Sequence, residues 1–163
     1  MKKWGLTLFL LAWCFAASAA ERSLDLGKGE ILKYELVDPG SPNSAAETGR
    51  EVLRLLAAGE LIKASELSNA PKRRFEVLRD YRSQVGDEEF RRVFAQYLGP
   101  GNKLVAEIAM GRHRLLIWKL GDAADHLAGQ YHVEAAGRFL MDDVPSAART
   151  NLRKVLESYR QGK

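Results

Sequence analysis

The sequence predicts an α+β fold, with N-terminal helices packed on a mostly antiparallel sheet, a meander of about four strands, and a closing C-terminal helix. Apolar residues recur at helical spacing between residues 44 and 98. Between residues 103 and 141 they alternate with polar residues, and short turns separate the alternating segments. Short turns favour antiparallel pairing of consecutive strands, and helices gathered on one face of such a sheet form an α+β domain.

The first twenty residues have the three parts of a cleaved signal peptide. Lys2 and Lys3 form a positive start, residues 6–17 form an apolar run, and small residues follow. We expect signal peptidase to cut at Ala19 or Ala20. The pattern therefore predicts an exported protein, periplasmic or secreted, with a bacterial-type signal peptide.

Cys14 is the single cysteine of the chain, and the bulky Trp13 precedes it. A lipid-modified cysteine follows a small residue, so we do not expect a lipoprotein. Removal of the leader also leaves no cysteine for a disulfide, a thiolate metal ligand or a nucleophile. No later segment has the ~20 apolar residues that a membrane span needs, so we predict no transmembrane segment in the mature chain.

The charge of the chain is mixed rather than concentrated. There are 25 Lys and Arg against 21 Asp and Glu, a formal net charge of +4. The adjacent arginines at 73–74 and 91–92 lie among acidic residues in helix-like segments, which is typical of solvated helix faces. We therefore expect no nucleic-acid partner.

The first predicted elements are a strand and a series of helices. Residues 30–37 alternate, and the Pro- and Gly-rich residues 39–43 end that strand, so we expect an N-terminal strand and linker at 21–43 before a single domain at 44–163. Ser44 and Glu47 form a capping box that begins a helix, and further helices are predicted at about 61–68, 72–85 and 87–98. The last of these has the clearest amphipathic stripe, which comprises Phe90, Val93, Phe94, Tyr97 and Leu98.

The second half of the domain predicts four strands, at 103–110, 112–120, 126–135 and 138–141, and a helix that begins at Asp143 or Ser146. Lys119 and Glu134 are expected to face water. The side chains expected to be buried against the helices are Leu116, Trp118, Tyr131, Val133 and Phe139.

The stretch LRLLAAGELIKASEL at residues 53–67 resembles the opening helix pair of the nuclear transport factor 2-like (NTF2-like, SnoaL-like) superfamily, and VEAAGRFLMDD at residues 133–143 resembles its closing strands. The resemblance is one of pattern and element order and covers residues 45–142. Two features differ from that superfamily: the helical block at 72–98 is longer, and a long helix follows the sheet. The resemblance implies a concave pocket, in which the superfamily's enzymes use an Asp, His or Tyr for proton transfer; the corresponding candidates here are Tyr34, Asp80, Tyr81 and Tyr131.

The three histidines, His113, His126 and His132, all lie in the predicted meander. Alternation places His126 and His132 on the same face as Glu134, and the simplest interpretation is the solvated side of a sheet. If His113 lay opposite, a metal or acid/base cluster with Glu134 or Asp125 would be geometrically possible.

Candidates for ligand binding come from the same meander. Arg112 and Arg114 flank His113 and would suit an anion, although a charged strand start is the simpler explanation. Trp118 is a further ligand-binding candidate. The sequence has no Gly-rich phosphate loop, no His-Glu-x-x-His motif and no Gly-x-Ser-x-Gly motif. We therefore expect no cofactor and no metal site.

Three functional hypotheses remain open from the sequence. The first is an exported, non-catalytic binding module for a small apolar ligand or an envelope protein. The second is a small lyase, isomerase or hydrolase that uses a pocket Asp, His or Tyr, with His113, His126, His132, Tyr131 and Asp125 as candidate catalytic residues. The third is a structural or assembly protein of the cell envelope.

Overall fold

A computed structural model describes residues 20–121 and 126–162 of the chain. The described residues form six strands and five helices: β1 (Ala20–Asp25), β2 (Ile31–Val37), α1 (Ala46–Ala57), α2 (Leu61–Glu66), α3 (Pro71–Val85), α4 (Asp87–Gln96), β3 (Lys103–Met110), β4 (His113–Lys119), β5 (Leu127–Ala135), β6 (Arg138–Met141) and α5 (Ala147–Arg160). The α+β class predicted from the sequence is confirmed, whereas the expected signal peptide lies outside the described residues.

The six strands form one antiparallel sheet in chain order, from β1 at one edge to β6 at the other. The prediction of about four strands was therefore too low. β1 pairs with β2, and β2 pairs with β3 through Leu36 opposite Ile108, across the whole helical block. Alternation along the sequence identifies a strand but does not identify a partner about 70 residues away, which is why β2 was predicted as a strand outside the main domain.

Helices cover both faces of the sheet. On β4, Leu116 and Trp118 pack in a cluster with residues of α1, whereas Leu115 and Ile117 pack against α5. The sequence analysis expected helices on one face of the sheet only. In the structure α5 covers the second face, so β4 is buried on both sides. Its run of apolar residues from Leu115 to Trp118 is typical of a strand between two layers.

The helical block on the α1 side has its own core. Phe90 of α4 is fully buried in it, with its ring centroid 4.9 Å from that of Phe94 and 5.8 Å from that of Tyr81. Gly86 separates α3 from α4 at a φ of 85°, a left-handed conformation that favours glycine. The amphipathic stripe predicted for α4 therefore packs largely on neighbouring helices.

The predicted pattern of burial is confirmed in part. Leu116, Trp118 and Val133 are buried and Glu134 is exposed, as expected. The other three residues are half-buried: Tyr131, Phe139 and Lys119.

Across residues 20–121 and 126–162, no helix combines the length and the apolar character needed to cross a membrane.

Candidate functional site

A cavity of about 150 Å³ lies between the α1 side of the sheet and the helices α1, α3 and α4. The sheet contributes side chains from β4, β5 and β6, and the helices contribute mostly leucine and aromatic side chains. The residues lining the cavity are Val52, Leu53, Leu56, Arg74, Leu78, Phe94, Tyr97, Trp118, Ala128, Gly129, Gln130 and Met141. The lining is thus mostly apolar, with a few polar groups, as in most small-molecule sites.

The close approach of α1 to the sheet at Gly49 determines where this cavity lies. A Cβ added at Gly49 would lie 2.5 Å from Leu116 Cδ1 and 2.7 Å from Gln130 Oε1, so a larger residue here would force these side chains or α1 to shift. The residues of α1 that line the cavity begin one turn later, at Val52. The helix touches the sheet near its N-terminus and leaves space beside its second half.

Glu107 of β3 holds the N-terminus of α1 against the sheet through hydrogen bonds. Its carboxylate is buried, accepts a hydrogen bond from the Ala45 backbone N–H at 2.7 Å, and accepts another from the Ser44 hydroxyl. Burial raises the pKa of Glu107, and the Ser44 and Ala45 hydrogen bonds and the charge of Arg114 oppose the rise. The expected capping box is therefore replaced: Ser44 accepts from the Ala46 N–H and donates to Glu107 of β3 instead of pairing with Glu47, and Ala45 is the N-cap residue of α1.

Two polar lining groups of the cavity bind each other. The indole Nε1–H of Trp118 donates to Gln130 Oε1 at 3.2 Å, and the Gln130 amide donates to the Gly49 carbonyl at 3.3 Å. This chain of hydrogen bonds crosses from sheet to helix along one wall of the cavity. Tyr97 also lines the cavity, and burial raises the pKa of its hydroxyl.

Arg74 provides the charged part of the lining, from the first turn of α3. Its Nε lies 3.0 Å from Asp143 Oδ2, and its side chain is 21% exposed. Asp143 is itself held in place, because it also accepts a hydrogen bond from the Ser68 hydroxyl at 2.6 Å and its backbone N–H donates to Asn69 Oδ1. Arg74 is therefore a partly exposed lining residue whose guanidinium is oriented by a fixed carboxylate.

A second group of polar side chains lies near the end of β6. His113 Nδ1 is 3.0 Å from Asp142 Oδ2, and the Asn69 amide donates to Asp142 Oδ1 at 2.9 Å. Asp142 is buried, whereas the His113 side chain is 16% exposed. A buried carboxylate that contacts one imidazole nitrogen can fix the orientation of the ring, as in acid/base pairs.

His132 lies on the α1 face of β5, between Arg114 of β4 and Met141 of β6 in the strand register. It is fully buried, and neither ring nitrogen makes a hydrogen bond of normal geometry within the described residues. Burial lowers its pKa to about 4, and the Gln130 backbone and the charge of Asp142 offset this only in part. The expectation that this face is the solvated side of the sheet is therefore wrong at His132, because the helical block packs on this face of β5.

The structure does not bring the other catalytic candidates into one cluster. His126 is exposed at the start of β5, Tyr131 is half-buried on the α5 face with Arg149 above its ring at 5.3 Å, and Asp125 lies outside the described residues. Tyr34 also belongs to the α5 side, whereas Asp80 is exposed on α3. Within the described residues, no group of three or more His, Asp or Glu side chains is arranged to hold a metal ion.

The ligand-binding candidates have different surroundings. Arg112 is exposed in the turn between β3 and β4. Arg114 is buried, donates to the Gly111 carbonyl at 2.7 Å, and lies 5.1 Å from the centroid of the Phe139 ring, so its guanidinium has a structural role. Trp118 does line the cavity.

Of the predicted cleavage residues, Ala19 lies outside the described residues and Ala20 begins β1.

Arg74 is the lining residue that sequence reasoning missed, because the pair at 73–74 was interpreted as a solvated helix face. The two arginines differ in burial, since Arg73 is exposed and Arg74 is not. The available signal was spacing: Arg74 precedes Leu78 by four residues and therefore shares the face of α3 that turns inward.

No protein-family model matches this chain, and neither a curated protein nor a solved structure matches it.

Proposed function

We propose that this chain is an exported, non-catalytic binding module that holds a small apolar ligand in the cavity between the helical block and the sheet. The observation that supports the proposal best is the cavity itself, because it is mostly apolar and about 150 Å³ in volume. An apolar cavity of roughly this size in another protein binds benzene. The NTF2-like resemblance, which implies a pocket on a concave sheet, stays a prediction.

The non-catalytic part of the proposal rests on how the acid/base groups are held. His132 is fully enclosed, and its low pKa keeps it neutral at neutral pH. Glu107 is used at the N-terminus of α1, where it accepts two hydrogen bonds. These groups have the surroundings of structural residues rather than of groups that meet a substrate.

Ligand binding is tested by titrating ¹⁵N-labelled protein with toluene as the probe. We expect the Trp118 indole resonance to shift with saturation, since that group lines the cavity. At ten times the Kd the ligand should stabilise the fold by about 1.4 kcal/mol, which a thermal melt detects. Ala128→Leu should fill the cavity and abolish both effects, and Ala95→Leu, on the exposed side of α4, is the matched control. A Trp118 resonance that does not respond to toluene would contradict the proposal.

Export is proposed from the N-terminal pattern, and its test is independent of ligand binding. N-terminal sequencing of the protein from the producing cell should begin at Ala20 or Glu21. A product that retains Met1 would overturn this part of the proposal. Because Ala20 and Glu21 lie in the exposed edge strand β1, either cleavage site leaves the other five strands intact.

A second candidate function is supported by one observation, the 3.0 Å contact between His113 and Asp142. In this alternative, His113 is the general base of a small lyase, isomerase or hydrolase and Asp142 orients its ring. The test uses a strain whose envelope phenotype depends on this protein. If His113 is the general base, His113→Gln should fold but fail to restore function in that strain. Under the binding proposal His113→Gln restores function, whereas Ala128→Leu does not.

A further inference from the structure

Arg74 is the one charged side chain among the described residues that line the cavity. It lies on the same face of α3 as Leu78, which is buried in the core. A charged group beside an apolar cavity loses solvation, so its position there requires a partner. Asp143 is that partner in the protein, through Nε at 3.0 Å.

The contact with Asp143 leaves hydrogen-bonding capacity on the guanidinium. An arginine has five N–H donors in a planar fork, and an acceptor on Nε leaves the two terminal nitrogens able to bind a second carboxylate. Of the other polar side chains in the lining, Trp118 and Gln130 bond each other, Gln130 also donates to Gly49, and the Tyr97 hydroxyl can both donate and accept. The wall therefore presents arginine donors to a ligand more than it presents acceptors.

The acidic side chains around Arg74 have further partners of their own. The carboxylate of Asp143 is shared between Arg74 and the Ser68 hydroxyl, and Arg73 Nη1 lies 3.4 Å from the Asp143 carbonyl oxygen. The neighbouring Asp142 contacts His113 and the amide of Asn69. Asp143 is thus shared with a neutral donor, whereas Arg73 is exposed, bonds the backbone carbonyl of Asp143 and does not line the cavity.

We infer that the ligand is a small monocarboxylic acid, whose apolar body of about benzene size fills the cavity and whose carboxylate binds the terminal nitrogens of Arg74. This inference rests on the proposed function, since it needs the cavity to bind a ligand. It adds the chemical class of that ligand and names Arg74 as the residue that selects it.

The test compares three probes of similar size by NMR titration at pH 7: benzoate, benzamide and toluene. Benzoate should bind about tenfold more tightly than benzamide, because only the carboxylate forms a charge-assisted pair with arginine. Arg74→Gln should weaken benzoate binding by about tenfold and leave the Kd for toluene unchanged, and a retained toluene site shows that the variant is folded. Arg73→Gln is the matched control and should change neither Kd.

Arg74→Lys provides a second variant if the glutamine substitution prevents folding. It keeps the charge and loses the fork, so benzoate binding should weaken several-fold while toluene binding stays the same. Equal affinity for benzoate and benzamide, or an unchanged benzoate Kd in both Arg74 variants, would overturn the carboxylate inference and leave the proposed function standing. Failure of all three probes to bind the natural sequence would overturn both.

Discussion

Acidification should destabilise this protein through His132, and a substitution at that position isolates the effect. Burial lowers the pKa of His132 to about 4, from 6.5 in an exposed histidine. The fold therefore keeps the imidazole neutral, whereas the unfolded chain takes up a proton as the pH falls below 6.5. The contribution of His132 to the free energy of unfolding is therefore greatest above pH 6.5 and is lost progressively between pH 6.5 and pH 4.

The size of the effect follows from the two pKa values. At pH 7 both states are mostly neutral, and at pH 4.5 the unfolded state is protonated while the folded state is mostly not. The linkage relation then gives a loss of about 2 kcal/mol between these two pH values. With a urea m-value of about 2 kcal/mol/M, the unfolding midpoint falls by about 1 M.

His132→Leu removes the titrating group and keeps a side chain of similar bulk in the enclosed site. At pH 7 the variant should be about as stable as the natural sequence, because within the described residues neither imidazole nitrogen has a hydrogen bond of normal geometry to lose. At pH 4.5 it should be more stable by about 2 kcal/mol. His126→Gln, at an exposed histidine, is the control for the loss of a histidine as such.

The measurement is a series of urea titrations between pH 4.5 and pH 7, followed by circular dichroism. The informative quantity is the difference between the variant and the natural sequence at each pH, since other carboxylates titrate in both. A difference that stays constant with pH would refute the reasoning, because it would mean that His132 is protonated equally in the folded and unfolded states.

Two further substitutions test how α1 is held. Gly49→Ala should destabilise the fold by about 1–3 kcal/mol in urea titrations, because its Cβ would lie 2.5 Å from Leu116 Cδ1. A loss below about 0.5 kcal/mol would show that α1 or the neighbouring side chains can move to make room. Glu107→Ala should cost about 2–4 kcal/mol, because it leaves the buried Ala45 N–H without its acceptor, and Glu47→Ala, at an exposed site in α1, should cost much less. Equal losses in the two glutamate variants would place the helix cap elsewhere.

Much of the local structure follows from the sequence. Periodicity predicted α3 and α4 and the strands β3 to β6 to within a few residues, because an amphipathic segment has a period of 3.6 or 2 whatever it packs against. The turns at Gly86 and Gly111 were also predictable, since both have a positive φ that favours glycine. β1 was missed because its residues are mostly exposed, so burial imposes little alternation on them.

The cavity and its surroundings were decided by tertiary structure alone. Alternation divides β5 into two faces but does not say what covers either one, so His132 was expected in water and is instead fully buried. Glu107 meets Ser44 across 63 positions of the chain, and Arg74 reaches Asp143 across the helical block. Such pairs form because buried polar groups need partners wherever the fold supplies them, and nothing in the local sequence records which partner that will be.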